Sequence, residues 1–393
     1  MTKLGNLGAF ALMAVACLTI MVGCVIVPGL PDIANQLHLS PQQSSWLVTL
    51  PSLGVVIFGA PVGRVMKRLG AYSVLIIGLV LYGALGIIGM WIQNTVVLFA
   101  DRLVLGGATA MVMASGTALI SDFYQGSQRL KMIALQGMSI ELGGVIFLAI
   151  GGILAKMNWS FPFYLYLMAW VFLILVVSFV PKPRPSHHVM NNPSIKPEET
   201  TGKEQVRIVY FAACLSMILF FTAVIMMPRF LSTLRLNESQ TGYFMAFISL
   251  IAVGAASQMP KVQHKLGSIS TLSLAFIAYA LSHALYSSGS LPIMIVGAIV
   301  MGIGFGLSVP LVNHMIVERS YTSHRNQNLA MLSVAIFLGQ FLSSFMSYIP
   351  GNGRDTFMVA GIAALIIALL FLTQRKSDHV EQPTHIEKHQ SNT

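Results

Sequence analysis

Apolar runs recur along the whole chain, each closed by a short polar stretch, and twelve are long enough to matter. They lie near 8–28, 44–63, 72–92, 96–119, 132–154, 162–180, 207–228, 241–260, 269–288, 292–317, 329–349 and 356–373. A hydrocarbon core takes about 20 helical residues to cross. The pattern therefore predicts an all-α membrane protein of twelve transmembrane helices, with the Gly- and Pro-rich runs bent or broken. The first run is too long for the h-region of a signal peptide and lacks a clear small-residue cleavage site, so it is expected to stay as a helix.

The rhythm breaks once, at residues 181–206, where "PKPRPSHHVMNNPSIKPEETTGKEQ" is rich in proline and charge and has no apolar face to bury. This predicts an N-terminal bundle of six helices over 1–180, a linker over 181–206, a C-terminal bundle of six over 207–373, and a disordered tail over 374–393. The histidines of linker and tail, His187, His188, His379, His385 and His389, read as solvated side chains, and no metal site is expected.

The two halves repeat each other. A slide of 197 aligns Pro31 with Pro228, Gln43 with Gln240, Arg64 with Lys261, Arg68 with Lys265 and Gly70 with Gly267. A slide of 196 aligns Arg129 with Arg325 and Gly143 with Gly339. A repeat in the same orientation implies two pseudo-symmetric bundles about an axis along the membrane normal, with substrate near the midplane between them.

Composition agrees with the pattern. Charged residues are 9% of the chain and hydrophobic residues 55%, against about 25% charged in soluble domains. The formal charge of +10 raises the question of an anionic partner. Eighteen of the 23 Lys and Arg fall on one side of the predicted membrane; Arg102 lies inside the fourth run, and only Lys156, Arg229, Arg235 and Arg354 fall on the other side. That is a topology signal, which puts both termini in the cytoplasm and removes the need for nucleic acid. The three cysteines, Cys17, Cys24 and Cys214, sit in apolar runs and form no disulfide or metal pattern.

"GAPVGRVMKRLG" (59–70) follows the second run and carries Gly59, Arg64, Arg68 and Gly70; its counterpart carries Lys261, Lys265 and Gly267. With twelve helices and a central linker, this basic Gly-rich segment resembles the loop of the major facilitator superfamily, with Gly63 at the place of the family's aspartate. "RLVLGGA" (102–108) is similar to the family's Arg-x-x-Gln-Gly pattern, with Leu105 for the glutamine. "LGGVIFLAIGG" (142–152) resembles the fifth-helix antiporter motif through Gly143, Gly151 and Gly152, with Phe147 and Leu148 replacing its Gly-Pro. "VPGLPDIANQL" and "LVTLP" also resemble the drug:proton antiporter branch. The resemblance implies the twelve-helix major facilitator fold, alternating access, a bacterial cytoplasmic (inner) membrane location, and a gating role for the basic segments.

Two charges lie inside the predicted membrane. Arg102 is roughly 9 Å from the outer end of its helix. It faces a polar cavity or partner, or it snorkels to the headgroups. Asp101 points about 100° away around the helix and is expected at the interface rather than paired with it. Glu141 is roughly 13 Å from the inner end of the fifth helix, near the bilayer centre, and no other acid lies so deep. Desolvation favours the neutral form of such a carboxyl, and exchange of its proton from either side is what proton coupling requires. The alternative is a permanently neutral group bonded to a neighbouring helix. Arg102 and Glu141 are the candidate proton-coupling pair, although their depths differ by roughly 8 Å. In the second half their places are taken by Ala298 and Phe337, leaving Asn313, His314 and Gln340 as cavity candidates, Gln340 more as an interhelical hydrogen bond.

The expected function is secondary active transport: proton-coupled efflux of a small organic compound. Alternatives are an importer or facilitator of a sugar or organic acid, and a transporter-like receptor. No nucleophile-base pair, phosphate-cradling loop or ligand cluster suggests an enzyme or a cofactor. The expected partners are a small-molecule substrate, protons and the lipid bilayer, with the chain a monomer.

Overall fold

The computed structural model describes residues 4–182, 201–320 and 324–380, with the side chains of all but 127, 130, 201–205, 326 and 374–380. Among the described residues, twelve helices are long and apolar enough to cross a membrane. The first half runs α1 (Asn6–Cys24), a short α2 (Leu30–Gln36), α3 (Pro41–Leu69), α4 (Ala71–Ile88), α5 (Thr95–Phe123) and α6 (Gly126–Met157). Its sixth span is composite: α7 (Phe161–Tyr164), a 3-10 turn over Leu165–Leu167, and α8 (Met168–Phe179). The second half runs α9 (Thr201–Thr233), α10 (Glu238–Leu266), α11 (Ser268–Ser287), α12 (Leu291–Arg319), α13 (Arg325–Leu342) with a 3-10 extension over Ser343–Tyr348, and α14 (Gly353–Val380). Exposed Ile174, Phe211, Ile362 and Leu370 cover the outer surface, the coat a hydrocarbon solvent demands.

The repeat extends to the caps. α3 and α10 are both 29 residues long, offset by 197. Each opens on a capping box: Ser40 exchanges side-chain and backbone hydrogen bonds with Gln43, and Asn237 does the same with Gln240. The preceding turns put non-glycine residues, His38 at φ 53° and Arg235 at φ 63°, in the left-handed region. Each helix ends on a glycine at φ 81°, Gly70 and Gly267, a conformation only glycine adopts without strain.

Two differences from the sequence reading follow from helix length. The basic segment 59–70 is no loop, because α3 continues through Gly59, Arg64 and Arg68 to Leu69 and turns on Gly70 alone. Twenty-nine residues span about 44 Å, so the charged end projects beyond a core of about 30 Å, where Lys67 and Arg68 complement the helix C-terminus. Likewise α9 begins at Thr201, inside the stretch read as linker, and α14 continues to Val380, inside the stretch read as disordered. Lys203-Glu204-Gln205 and Gln374-Arg375-Lys376 are good helix formers that prolong their spans. Residues 183–200 and 381–393, with His187, His188, His385 and His389, lie outside the described residues, as do the side chains of 374–380, His379 among them.

Two seams join the bundles, α3 against α13 and α6 against α10, both toward the end opposite the basic turns. At the first, Ser52 Oγ donates to Gln340 Oε1 at 2.7 Å, and Trp46 packs on Phe341 and Phe345 with ring centroids 6.1 Å away. At the second the backbones touch: a Cβ on Gly152 would stand 2.9 Å from Gly242 Cα and 2.6 Å from the Glu238 carbonyl oxygen. At the basic end Gly59, Gly63, Gly137 and Gly254 have nothing within 4 Å of where a Cβ would be. The bundles are closed at one end and splayed at the other.

Candidate functional site

Just inside the closed end, α6 carries Glu141, Gly144 and Leu148 on successive turns of the face that looks at the second bundle. They line a cavity with Ile20 and Cys24 of α1 and, across the seam, Phe220, Met245, Ser249, Met301 and Phe305. Phe220 and Phe305 stack with centroids 3.8 Å apart. Glu141 is the one ionisable carboxyl or base in that lining, which is otherwise apolar apart from the Ser249 hydroxyl and the Cys24 thiol. It is half-buried, and among the described residues it makes no side-chain hydrogen bond or ion pair. The space around it, about 30 Å³, admits a water but not a drug-sized solute. An ionisable side chain without a fixed partner inside a membrane bundle is a functional-site candidate by default.

Arg102 does not join it. The guanidinium is fully buried within the first bundle, ion-paired to Asp101 at 2.7 Å and donating to the carbonyls of Leu85 and Gly86 at 2.9 and 3.2 Å. Its carbon lies 5.7 and 5.6 Å from the ring centroids of Phe163 and Tyr166. The expectation that Asp101 stands apart at the interface is thus corrected: a buried guanidinium needs a counter-charge, and the long side chain folds back across the angle between the two residues. Tyr82 and Tyr166, which pack beside Arg102, donate to the carbonyls of Leu18 and Val22, and so hold α1 one turn before it offers Cys24 to the cavity.

The other candidates lie elsewhere. Gln340 is buried in the α3/α13 seam on Ser52. Asn313 is exposed and donates to the carbonyl of Val309, and His314 sits 3.6 Å from Glu318 with both side chains about half exposed, at the open end of α12. Arg64, Arg68, Lys261 and Lys265 are exposed at the basic end, Lys261 donating to Gln258. Gly143 and Gly151 bring α6 onto α1, at Cys17 and at the Val25 carbonyl, while Gly152 meets the second bundle. Sequence reasoning missed Ser52, Gly144 and Ser249. The signal was there: the 197 slide pairs Ser52 with Ser249, and the 196 slide pairs Gly144 with Gln340.

Among known proteins, the family pattern described as Major Facilitator Superfamily matches residues 10–344 and, in a second overlapping match, 262–392. The chain belongs to the major facilitator superfamily. It is 26% identical over 382 residues to Multidrug efflux protein YfmO of Bacillus subtilis, covering 92% of both chains. It is 27% identical over 191 residues to Multidrug resistance protein 1 of the same organism, where it spans about half of either chain (49%). Of solved structures, the nucleoside transporter NupG superposes with a TM-score of 0.76 at 13% identity, over 94% of this chain and 99% of that one. The peptide transporter POT gives 0.75 at 14% identity over 94% of each. These two superpositions carry the fold alone. The protein is thus an integral, multi-pass membrane transporter of this superfamily.

Proposed function

We propose that the protein is a proton-coupled exporter of a small organic compound, working by alternating access in a bacterial cytoplasmic membrane, with Glu141 as proton carrier. The observation that carries the reading is the lone unpartnered carboxyl of Glu141 in the apolar space between the bundles. Efflux rather than uptake is supported by the likeness along nearly the whole chain to a protein named as a multidrug efflux protein. With the basic turns in the cytoplasm, the closed end faces outward and the splayed end is the path by which substrate enters from inside. Arg102 serves as a positioning residue, through α1, rather than as a direct partner of the carboxyl. Asn313 and His314 flank the inner mouth, and the exposed basic ends of α3 and α10 anchor topology and close toward their seam partners, α13 and α6, when that mouth shuts.

The test uses vesicles reconstituted with wild type or Glu141→Gln, loaded with a pH-sensitive dye and offered a panel of organic compounds under an imposed proton gradient. Substrate-dependent proton movement in the wild type and none in the variant is expected. Solute movement without proton flux, unchanged in Glu141→Gln, would sink the reading in favour of a facilitator.

A further inference from the structure

Beyond Gly152 and Gly242 the two helices of the second seam part, and a crevice of about 590 Å³ opens on the surface between them. Ile153, Lys156 and Met157 of α6 form one wall, and Asn237, Ser239, Gln240 and Tyr243 at the start of α10 form the other, the Ser239 hydroxyl donating to the Gly152 carbonyl. Met157 is 68% and Tyr243 54% exposed, so the mouth of the crevice looks into lipid. Lys156 is exposed and, among the described residues, has no ion pair or hydrogen bond. The capping box of α10 uses the side-chain oxygens of Asn237 and Gln240 on backbone N–H groups, which leaves both carboxamide NH2 groups as free donors. The nearest carboxylate in sequence, Glu238, is turned to Asp32 instead. An ammonium and two amide donors thus sit at headgroup depth above an apolar wall, drawn from both bundles.

We propose that this crevice is a phospholipid site of the outer leaflet that takes an anionic lipid of the phosphatidylglycerol type and holds the outward-closed seam together. The phosphate meets Lys156 and the two amides, and one acyl chain lies along Ile153, Met157 and Tyr243. The carboxamide oxygens of Asn237 and Gln240 are committed to the cap, so the side chains of the polar rim offer donors to a phosphate rather than a counter-charge to a headgroup ammonium. Because the donors come from α6 and α10, the site exists only while the seam is closed, and a lipid bound there stabilises that state. The inference rests on the orientation given under the proposed function, but not on the substrate or on proton coupling.

The experiment is native mass spectrometry of full-length protein from mixed phosphatidylglycerol and phosphatidylcholine vesicles, with spin labels across the outer ends of α6 and α10 in the same vesicles. Wild type is expected to retain phosphatidylglycerol selectively and to favour the short distance. Lys156→Gln is expected to weaken retention about fivefold, the equivalent of one basic residue at a membrane surface, and to lengthen the distance, with Lys156→Arg restoring both. Arg229→Gln, which removes another basic residue of the same side, should leave both unchanged. Equal retention by wild type and Lys156→Gln overturns the site, as does an equal loss in Arg229→Gln. Inorganic phosphate closing the seam in pure phosphatidylcholine vesicles overturns the lipid as its occupant.

Discussion

The two seams that hold the bundles together are copies of one another in register and opposites in chemistry. Ser52 on α3 faces Gln340 on α13, while its repeat partner Ser249 on α10 faces Gly144 on α6. Phe337 on α13 packs against an apolar cluster of the first bundle that includes Val55 and Val62; its counterpart on α6 is Glu141, in the cavity. Trp46, Phe341 and Phe345 correspond to Tyr243, Val145 and Ala149. One seam is a hydrogen-bonded aromatic clasp, and the other is a glycine crossing with a hole where a glutamine would have been. The carboxyl stands in that hole. The lack of a side chain at Gly144 is what leaves the space beside Glu141, so site and seam have the same origin.

The comparison breaks most severely at the glycine crossing. Gly152→Leu pushes a side chain into the Glu238 carbonyl, and overpacking of about 1–3 kcal/mol shifts the equilibrium away from outward-closed by roughly 5- to 150-fold. Spin-label distances across the outer ends of α6 and α10 read the shift, and transport should fall with it. Next is Gly144→Gln, which gives the second seam the residue of the first. A Cβ there fits, 3.6 Å from Ile20 and 3.9 Å from Ser249, so the fold is expected to survive while the hole fills. Substrate-driven proton movement should drop on the order of tenfold, at the level of a cost of about 1.4 kcal/mol.

Gln340→Leu opens the clasp and leaves the buried Ser52 hydroxyl unpaired. Interhelical hydrogen bonds in membranes are worth about 0.6–1.7 kcal/mol, so the outward-closed population should fall by roughly 3- to 18-fold. The smallest effect concerns the rim. Burial first, and the facing Glu238 second, hold the Asp32 carboxyl above its usual range. An acid raised in this way favours its protonated form in the contact, so the contact is firm at low external pH and loosens as pH rises through the carboxyl range. Asp32→Asn should flatten the dependence of the outer distance on external pH above the ordinary aspartate range of about 4; an unchanged slope would exclude Asp32 as its source.

Spans and repeat were legible because each rests on many residues: an apolar run of twenty, or five coincidences at one slide, survives any single exception. Glu141 was legible for the opposite reason, since a lone acid at mid-membrane depth stands out against its surroundings. Arg102 was half legible. Depth showed that it needed company, but helix geometry alone counted Asp101 out, because it follows Cβ directions and not the reach of a seven-atom side chain folding back on its neighbour. Gly144 and Ser52 were invisible as single residues. A glycine that makes a hole has no chemistry of its own, and its meaning appears only when the register partner, Gln340, is seen filling the same place.

The most direct test of the account separates proton coupling from substrate movement in one variant. Vesicles with Glu141→Gln are assayed twice, for exchange of labelled against unlabelled substrate and for accumulation driven by a proton gradient. The account predicts that exchange persists, since the bundles still rock with a neutral side chain in the cavity, while gradient-driven accumulation disappears. Loss of both, or retention of both, would contradict Glu141 as the proton carrier.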